Sequence, residues 1–224
     1  MRTRVGWLAA LVCAVAPASA ASGVVPEAAV LLEVAQEPAP GLVPDAAPAR
    51  FVLMEDGAVF VGGTSHLAQG RMEKSEAKEI DKLVSRVRRL PGLGSSVSLG
   101  PGPKRHRLVL KKGPEIVATG DPTLAPAPLK PLADLLAALE SFDHPSLRPY
   151  RPAQYALSVR PAPVVGGCRS WSPALPPLDV AAGPRVVSAD LVTDWPKGAT
   201  AASVCAGDKT YIVALRPLVP GERP

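Results

Sequence analysis

The chain has 224 residues, among them 27 prolines, 19 glycines and three cysteines, with 25 basic against 20 acidic residues. Proline and glycine together make up about a fifth of it, short of the quarter or more that marks low-complexity disorder. This excludes a disordered or collagen-like chain and leaves room for one large or two small globular domains.

Arg2 and Arg4 precede an uncharged, mostly apolar run, Val5 to Ala16, which Pro17 ends before Ala18-Ser19-Ala20. Charged n-region, apolar h-region and small-residue cleavage site, in that order, predict a secretory signal peptide over 1–20, cut after Ala20. A membrane span needs about 20 apolar residues, and this run is too short. A lipoprotein anchor at Cys13 is disfavoured because Val12, not a small residue, precedes it. No later stretch is apolar enough to span a bilayer, so the expected location is secreted or periplasmic.

Residues 21–49 are rich in Ala, Pro and Val. Pro38, Pro40, Pro44 and Pro48 forbid a long helix there. The stretch reads as a tether, with one short helix over the Glu27–Glu37 run EAAVLLEVAQE.

Order is expected from Phe51. Asp56-Gly57 between apolar runs signals a two-residue hairpin. Its register would put Phe51, Leu53 and Phe60 on one face and Val52, Met54, Val59 and Val61 on the other, so both faces should be covered. Residues 75–90 follow, with Ile80, Leu83, Val84, Val87 and Leu90 at helical spacing, Ser75 as N-cap and Pro91-Gly92 as the stop. A second hairpin spans Arg105–Gly120 and turns at Gly113-Pro114, with Lys112 facing Glu115. A second helix is expected over Pro131–Phe142. The order β-β-α-β-β-α over 50–143 predicts an α+β domain, a mainly antiparallel sheet with two helices on one face.

Residues 144–224 carry no helical stripe. Short β-like runs (QYALSVR, RVVSADLV, ASVC, KTYIVALRPL) and a turn at Gly207-Asp208 predict a β-rich region, placed to cover the second face of the first hairpin. Cys168 and Cys205 fall here. An even count in an oxidising compartment favours a disulfide over free thiols or metal ligands. No histidine lies near either cysteine to serve as a base, and no CxxC or HExxH is present.

The EDG-x-V-x-V-G hairpin, Gly70, the amphipathic helix and the later hairpin–helix pair resemble a domain of uncharacterised secreted bacterial proteins, over about residues 50–143. The resemblance implies fold and export. It brings no catalytic residues to carry over, and it does not extend to 145–224.

No motif names a reaction. The glycines at 92, 94, 100 and 102 follow a helix rather than a strand, and Val97 stands where GxGxxG needs its third glycine. GxxxxGK[ST] and GxSxG are both lacking, so no cofactor, metal site or catalytic residue is assigned. His66, His106 and His144 are scattered, and the cations around His106 should disfavour its charged form. Glu55 and Asp56 read as turn residues.

Charge is segregated. No acid lies between Asp81 and Glu115, while Arg86, Arg88, Arg89, Lys104, Arg105, Arg107, Lys111 and Lys112 do. On a strand, Arg105, Arg107 and Lys111 share a face with Val109, and Leu108 and Leu110 point to the core. Such a face attracts anionic partners, or else is a solvated face paired with the protein's own acids. Nucleic acid is disfavoured because no aromatic interleaves the run. The expectation is a non-catalytic binding or structural module of the periplasm or cell surface, whose partner is an anionic envelope component or a protein. The alternatives are a secreted enzyme with dispersed catalytic residues and an inhibitor or accessory module.

Overall fold

The computed structural model describes residues 29–36, 49–62, 67–111, 113–162, 167–195 and 201–222. The expected signal peptide 1–20, most of the stretch read as a tether, His66 and Lys112 lie outside the described residues. The protein is α+β: two helices and two mostly antiparallel sheets.

The first sheet contains β1 (Val30–Gln36), β2 (Ala49–Met54), β3 (Ala58–Gly62), β4 (Leu67–Arg71), β5 (Ser96–Ser98), β6 (Arg105–Leu110), β7 (Glu115–Thr119) and β8 (Arg148–Pro149). Their order across it is β5-β7-β6-β1-β2-β3-β4-β8. Helices α1 (Lys74–Arg88) and α2 (Lys130–Glu140) pack together on one face. That face buries Leu32, Val34, Phe51, Leu53, Leu108, Leu110 and Ile116 against Ile80, Val84 and Val87 of α1 and Leu132, Leu135, Leu136 and Leu139 of α2.

The expected helix over Glu27–Glu37 is a strand instead. Ala, Leu, Glu and Gln favour a helix, but β1 sits between β2 and β6 and hydrogen-bonds to both. Its alternation suits a pleat, with Leu32 and Val34 in the helix-covered core and Glu33 on the opposite face. Tertiary pairing overrides the local preference, and part of the presumed tether becomes a central strand.

The first hairpin is shifted by one residue from the expected register. Leu53 pairs with Val59 and Phe51 with Val61, because the loop is Glu55-Asp56-Gly57 rather than two residues. The Gly57 N–H donates to Met54 O (3.1 Å), and Gly57 takes φ 84°, the left-handed conformation glycine adopts without strain. A one-residue slip exchanges faces. Val59 and Val61 thus join the helix-covered core, and Phe60 joins Val52 and Met54 on the other face. In the second hairpin Glu115 lies opposite Val109, not Lys112. Helix α1 begins before Ser75: Glu73 is the N-cap, and its N–H donates to the Glu76 carboxylate (2.8 Å). Leu83, at the middle of the predicted stripe, is only partly buried.

The second sheet has β9 (Gln154–Ala162), β10 (Arg169–Ser170), β11 (Arg185–Ser188), β12 (Ala201–Ala206) and β13 (Lys209–Pro217), in the order β10-β12-β13-β9-β11. Ala206 pairs with Lys209 across the Gly207-Asp208 turn, as expected. The Cys168–Cys205 disulfide links the start of β10 to β12, with Cα atoms 5.5 Å apart. As expected, residues of the C-terminal region pack on the second face of the first hairpin, where Val52, Met54 and Phe60, with Leu67, meet Val219 and Tyr150. Among the described residues no helix is long and apolar enough to cross a membrane.

Candidate functional site

The basic face of β6 is built as the alternation predicts: Arg105 and Arg107 are exposed, and Leu108 and Leu110 are buried. The structure also brings acids to it that are remote in sequence. Arg107 donates to Glu33 (2.9 Å) and lies 3.7 Å from Glu115. Lys111 pairs with Glu55, and Lys104 with Glu140 (3.1 Å). Arg88 donates to the Lys111 carbonyl and Arg89 to the Ser85 carbonyl. Arg105 borders a shallow depression with Ser95, Ser96 and Glu115. Arg107, Lys111 and Lys104 of the acid-free segment are thus paired with acids from β1, β7, the first hairpin loop and α2. Burial pushes the Glu33 carboxyl up despite Arg107 beside it.

His106 is buried, 1% exposed, and neither ring nitrogen has a hydrogen-bond partner. Glu140 Oε1 lies 3.6 Å from Nε2, too long for a hydrogen bond. The His106 pKa is pushed down, chiefly by burial and less by Lys104. The expected direction holds, with desolvation rather than the neighbouring cations as its main cause.

His144 links three segments. The Ser146 N–H donates to its Nδ1 (3.2 Å), so the ring proton sits on Nε2, 3.1 Å from Glu76 Oε1. Ser146 Oγ lies 2.6 Å from the same Nδ1. The Glu73 N–H holds the Glu76 carboxyl below its usual range, and His144 adds to this. Carboxylate, imidazole and hydroxyl stand in the order acyl transfer uses. The hydroxyl also accepts the Arg71 N–H (3.0 Å) and lies 3.2 Å from the Arg71 carbonyl. It therefore bridges β4 to the segment after α2, as a structural latch would. Among the described residues no group of three His, Cys, Asp or Glu side chains is placed to hold a metal ion.

The second sheet carries a pocket that no motif announced. Its volume is about 180 Å³, and it is lined by Arg169, Ser170, Trp171, Ser172, Leu175, Leu191, Val192, Asp194, Trp195 and Val204. β10 pairs with β12 in parallel, Arg169 opposite Val204 and Ser170 opposite Cys205. The disulfide fixes that pairing at its start, and the Trp171 N–H donates to Cys205 O (3.0 Å), which extends it by one residue. The indole N–H of Trp171 donates to Pro176 O (2.9 Å), so its ring orientation is set within its own loop. On the other wall, the 3-10 turn Ala189–Val192 carries the chain to Trp195, whose N–H donates to Val192 O (3.0 Å). Both tryptophans pack on the second core and both remain partly exposed. Arg169 and Asp194 are exposed at the rim, and neither forms an ion pair with a described residue.

In the sequence Cys168 and Cys205 announce the crosslink, whereas nothing around Trp171 and Trp195 announces a pocket. The available signal was compositional: of three tryptophans, the two beyond residue 20, Trp171 and Trp195, both fall in the β-rich region. Comparison with family models, curated proteins and solved structures finds no match.

Proposed function

We propose that this chain is an exported, non-catalytic binding module of the periplasm or cell surface, and that it binds through the Trp171–Trp195 pocket. The observation that carries the reading is the pocket itself. Two partly exposed indoles converge on it with Arg169 and Asp194, neither ion-paired with a described residue, beside a disulfide that holds one wall. Concave sites with aromatic walls and a few convergent polar groups are the usual form of ligand sites. The disulfide supports an oxidising compartment, as do the signal-like segment 1–20 and the resemblance of residues 50–143 to a domain of secreted bacterial proteins. The basic face at Arg105, Arg107 and Lys111 is the rival surface for an anionic partner, weakened by the acids that pair with Arg107 and Lys111.

Once residues 1–20 are removed, every tryptophan of the protein lies in the pocket, so intrinsic emission reports on it directly. Native envelope extract added to the mature chain should change that emission saturably, and Asp194→Ala should weaken the response. Unchanged emission, together with salt-sensitive retention on heparin that Arg105→Ser, Arg107→Ser and Lys111→Ser abolish, would move the site to β6.

The Glu76–His144–Ser146 arrangement favours a second reading, a secreted hydrolase with Ser146 as nucleophile. Labelling of Ser146 by a fluorophosphonate would support it, and an unlabelled Ser146 leaves the latch.

A further inference from the structure

The shape and charge of the pocket narrow the chemistry of what it takes, and this step rests on the binding reading above. Its volume of about 180 Å³ is below the roughly 300 Å³ where pockets for drug-sized ligands begin. It therefore seats one ring-sized group of a larger ligand. Ser170, Ser172 and Leu191 are exposed around it, so the remainder of such a ligand extends over the surface.

The walls ask for a ligand with two characters. Trp171 and Trp195 supply rigid apolar area that orders at low conformational cost, which suits a flat C–H face. Arg169 and Asp194 supply donors only and acceptors only, respectively, which suits a group that both accepts and donates. An anion meets Asp194, and a cation meets Arg169. A proline-rich peptide, the other common guest of aromatic clefts, has carbonyl acceptors but no N–H on its prolines, and so leaves Asp194 without a partner. The indole N–H of Trp171, already donated to Pro176 O, is not available to such a carbonyl. A sugar ring meets each demand at once: an apolar face for an indole, and neutral hydroxyls that accept from Arg169 and donate to Asp194. We propose that the Trp171–Trp195 pocket binds a neutral sugar ring of an envelope glycan, with Arg169 and Asp194 reading its hydroxyls. The disulfide and the Trp171 bonds hold one wall in place before the ligand arrives, which lowers the ordering cost of binding.

The test uses the mature chain, residues 21–224, titrated with tetra-N-acetylchitotetraose, cellotetraose and maltotetraose, with a decaproline peptide as the contrasting arm. At least one oligosaccharide should change the tryptophan emission saturably. Arg169→Ala and Asp194→Ala should each weaken binding about tenfold or more, as the loss of a charge-assisted hydrogen bond does. Both residues are exposed, so both variants should keep the wild-type circular dichroism. Trp195→Phe, which leaves Trp171 as sole reporter, gives a second measure of the same site. Emission unmoved by all three oligosaccharides overturns the glycan assignment, as does a response that neither Arg169→Ala nor Asp194→Ala weakens. If decaproline or envelope extract changes the emission while the sugars do not, the pocket stands as a binding site and only the glycan falls. If extract also leaves it unchanged, the binding reading falls with it.

Discussion

Phe60 and Tyr150 meet edge to face, with ring centroids 5.0 Å apart, where the first sheet meets the region that follows it. The Tyr150 hydroxyl donates to Leu218 O (3.0 Å) and so pins the end of the chain over the same apolar face. Phe60→Ala should cost about 3–5 kcal/mol, and Tyr150→Phe about 1 kcal/mol for the lost hydrogen bond. A double-mutant cycle on Phe60→Leu and Tyr150→Leu should give a coupling of about 0.5–1.5 kcal/mol in urea melts. Additive losses would mean that the contact does not join the two regions.

Gly70 admits the Ser146 hydroxyl. A Cβ at residue 70 would lie 2.5 Å from Ser146 Oγ. Gly70→Ala should destabilise by about 1–3 kcal/mol, and Ser146→Ala should relieve much of that loss. If the double variant is no better than Gly70→Ala alone, the clash is elsewhere.

His106 and Glu33 should give stability opposite pH slopes. The folded His106 pKa is below its ordinary value of 6.5, so on acidification the unfolded chain takes up that proton first. Stability therefore falls as pH drops below about 6.5. The folded Glu33 pKa is above its ordinary value of 4.5, so the folded chain is protonated first and stability falls as pH rises through the folded value. Urea denaturation between pH 4 and 7 should show His106→Leu losing the first slope and Glu33→Gln the second. His106→Leu should also be more stable by about 1–3 kcal/mol, because it removes buried nitrogens without partners.

Non-reducing peptide mapping of the exported protein should recover Cys168 and Cys205 in one peptide, and N-terminal sequencing should begin at Ala21. Reduction should cost roughly 3–4 kcal/mol on the chain-entropy account and red-shift the tryptophan emission, because Trp171 bonds to Cys205 O. A Met1 start in cytoplasmic protein would sink the export claim.

The helices were legible because Ile80, Val84 and Val87, like Leu132, Leu135 and Leu139, repeat at the period their burial imposes. The runs that became β9, β12 and β13 were legible by their β-branched content and turn glycines. β1 was not, since what makes it a strand lies outside it: β2 and β6 on its flanks and the Arg107 side chain that pairs with Glu33. The register of the first hairpin turned on whether Glu55 belongs to the loop, and both faces being apolar gave no pattern to decide it. Glu33 and Glu55, which meet Arg107 and Lys111, were invisible because they come from β1 and from the loop of the first hairpin. Trp171 and Trp195 follow β10 and β11, the two edge strands of the second sheet, and they meet only because both loops pack onto the same core.

β1 comes first among the described strands and stands near the middle of the finished sheet. One neighbour, β2, follows soon after it, but the other, β6, ends only at Leu110. A chain made from its N-terminus must therefore extend past residue 110 before this sheet can close. Until then Leu31, Leu32 and Val34 form an apolar segment without its second flank. Such long-range pairing makes for slow, late closure, and it leaves the growing chain threadable until most of the first sheet has been synthesised.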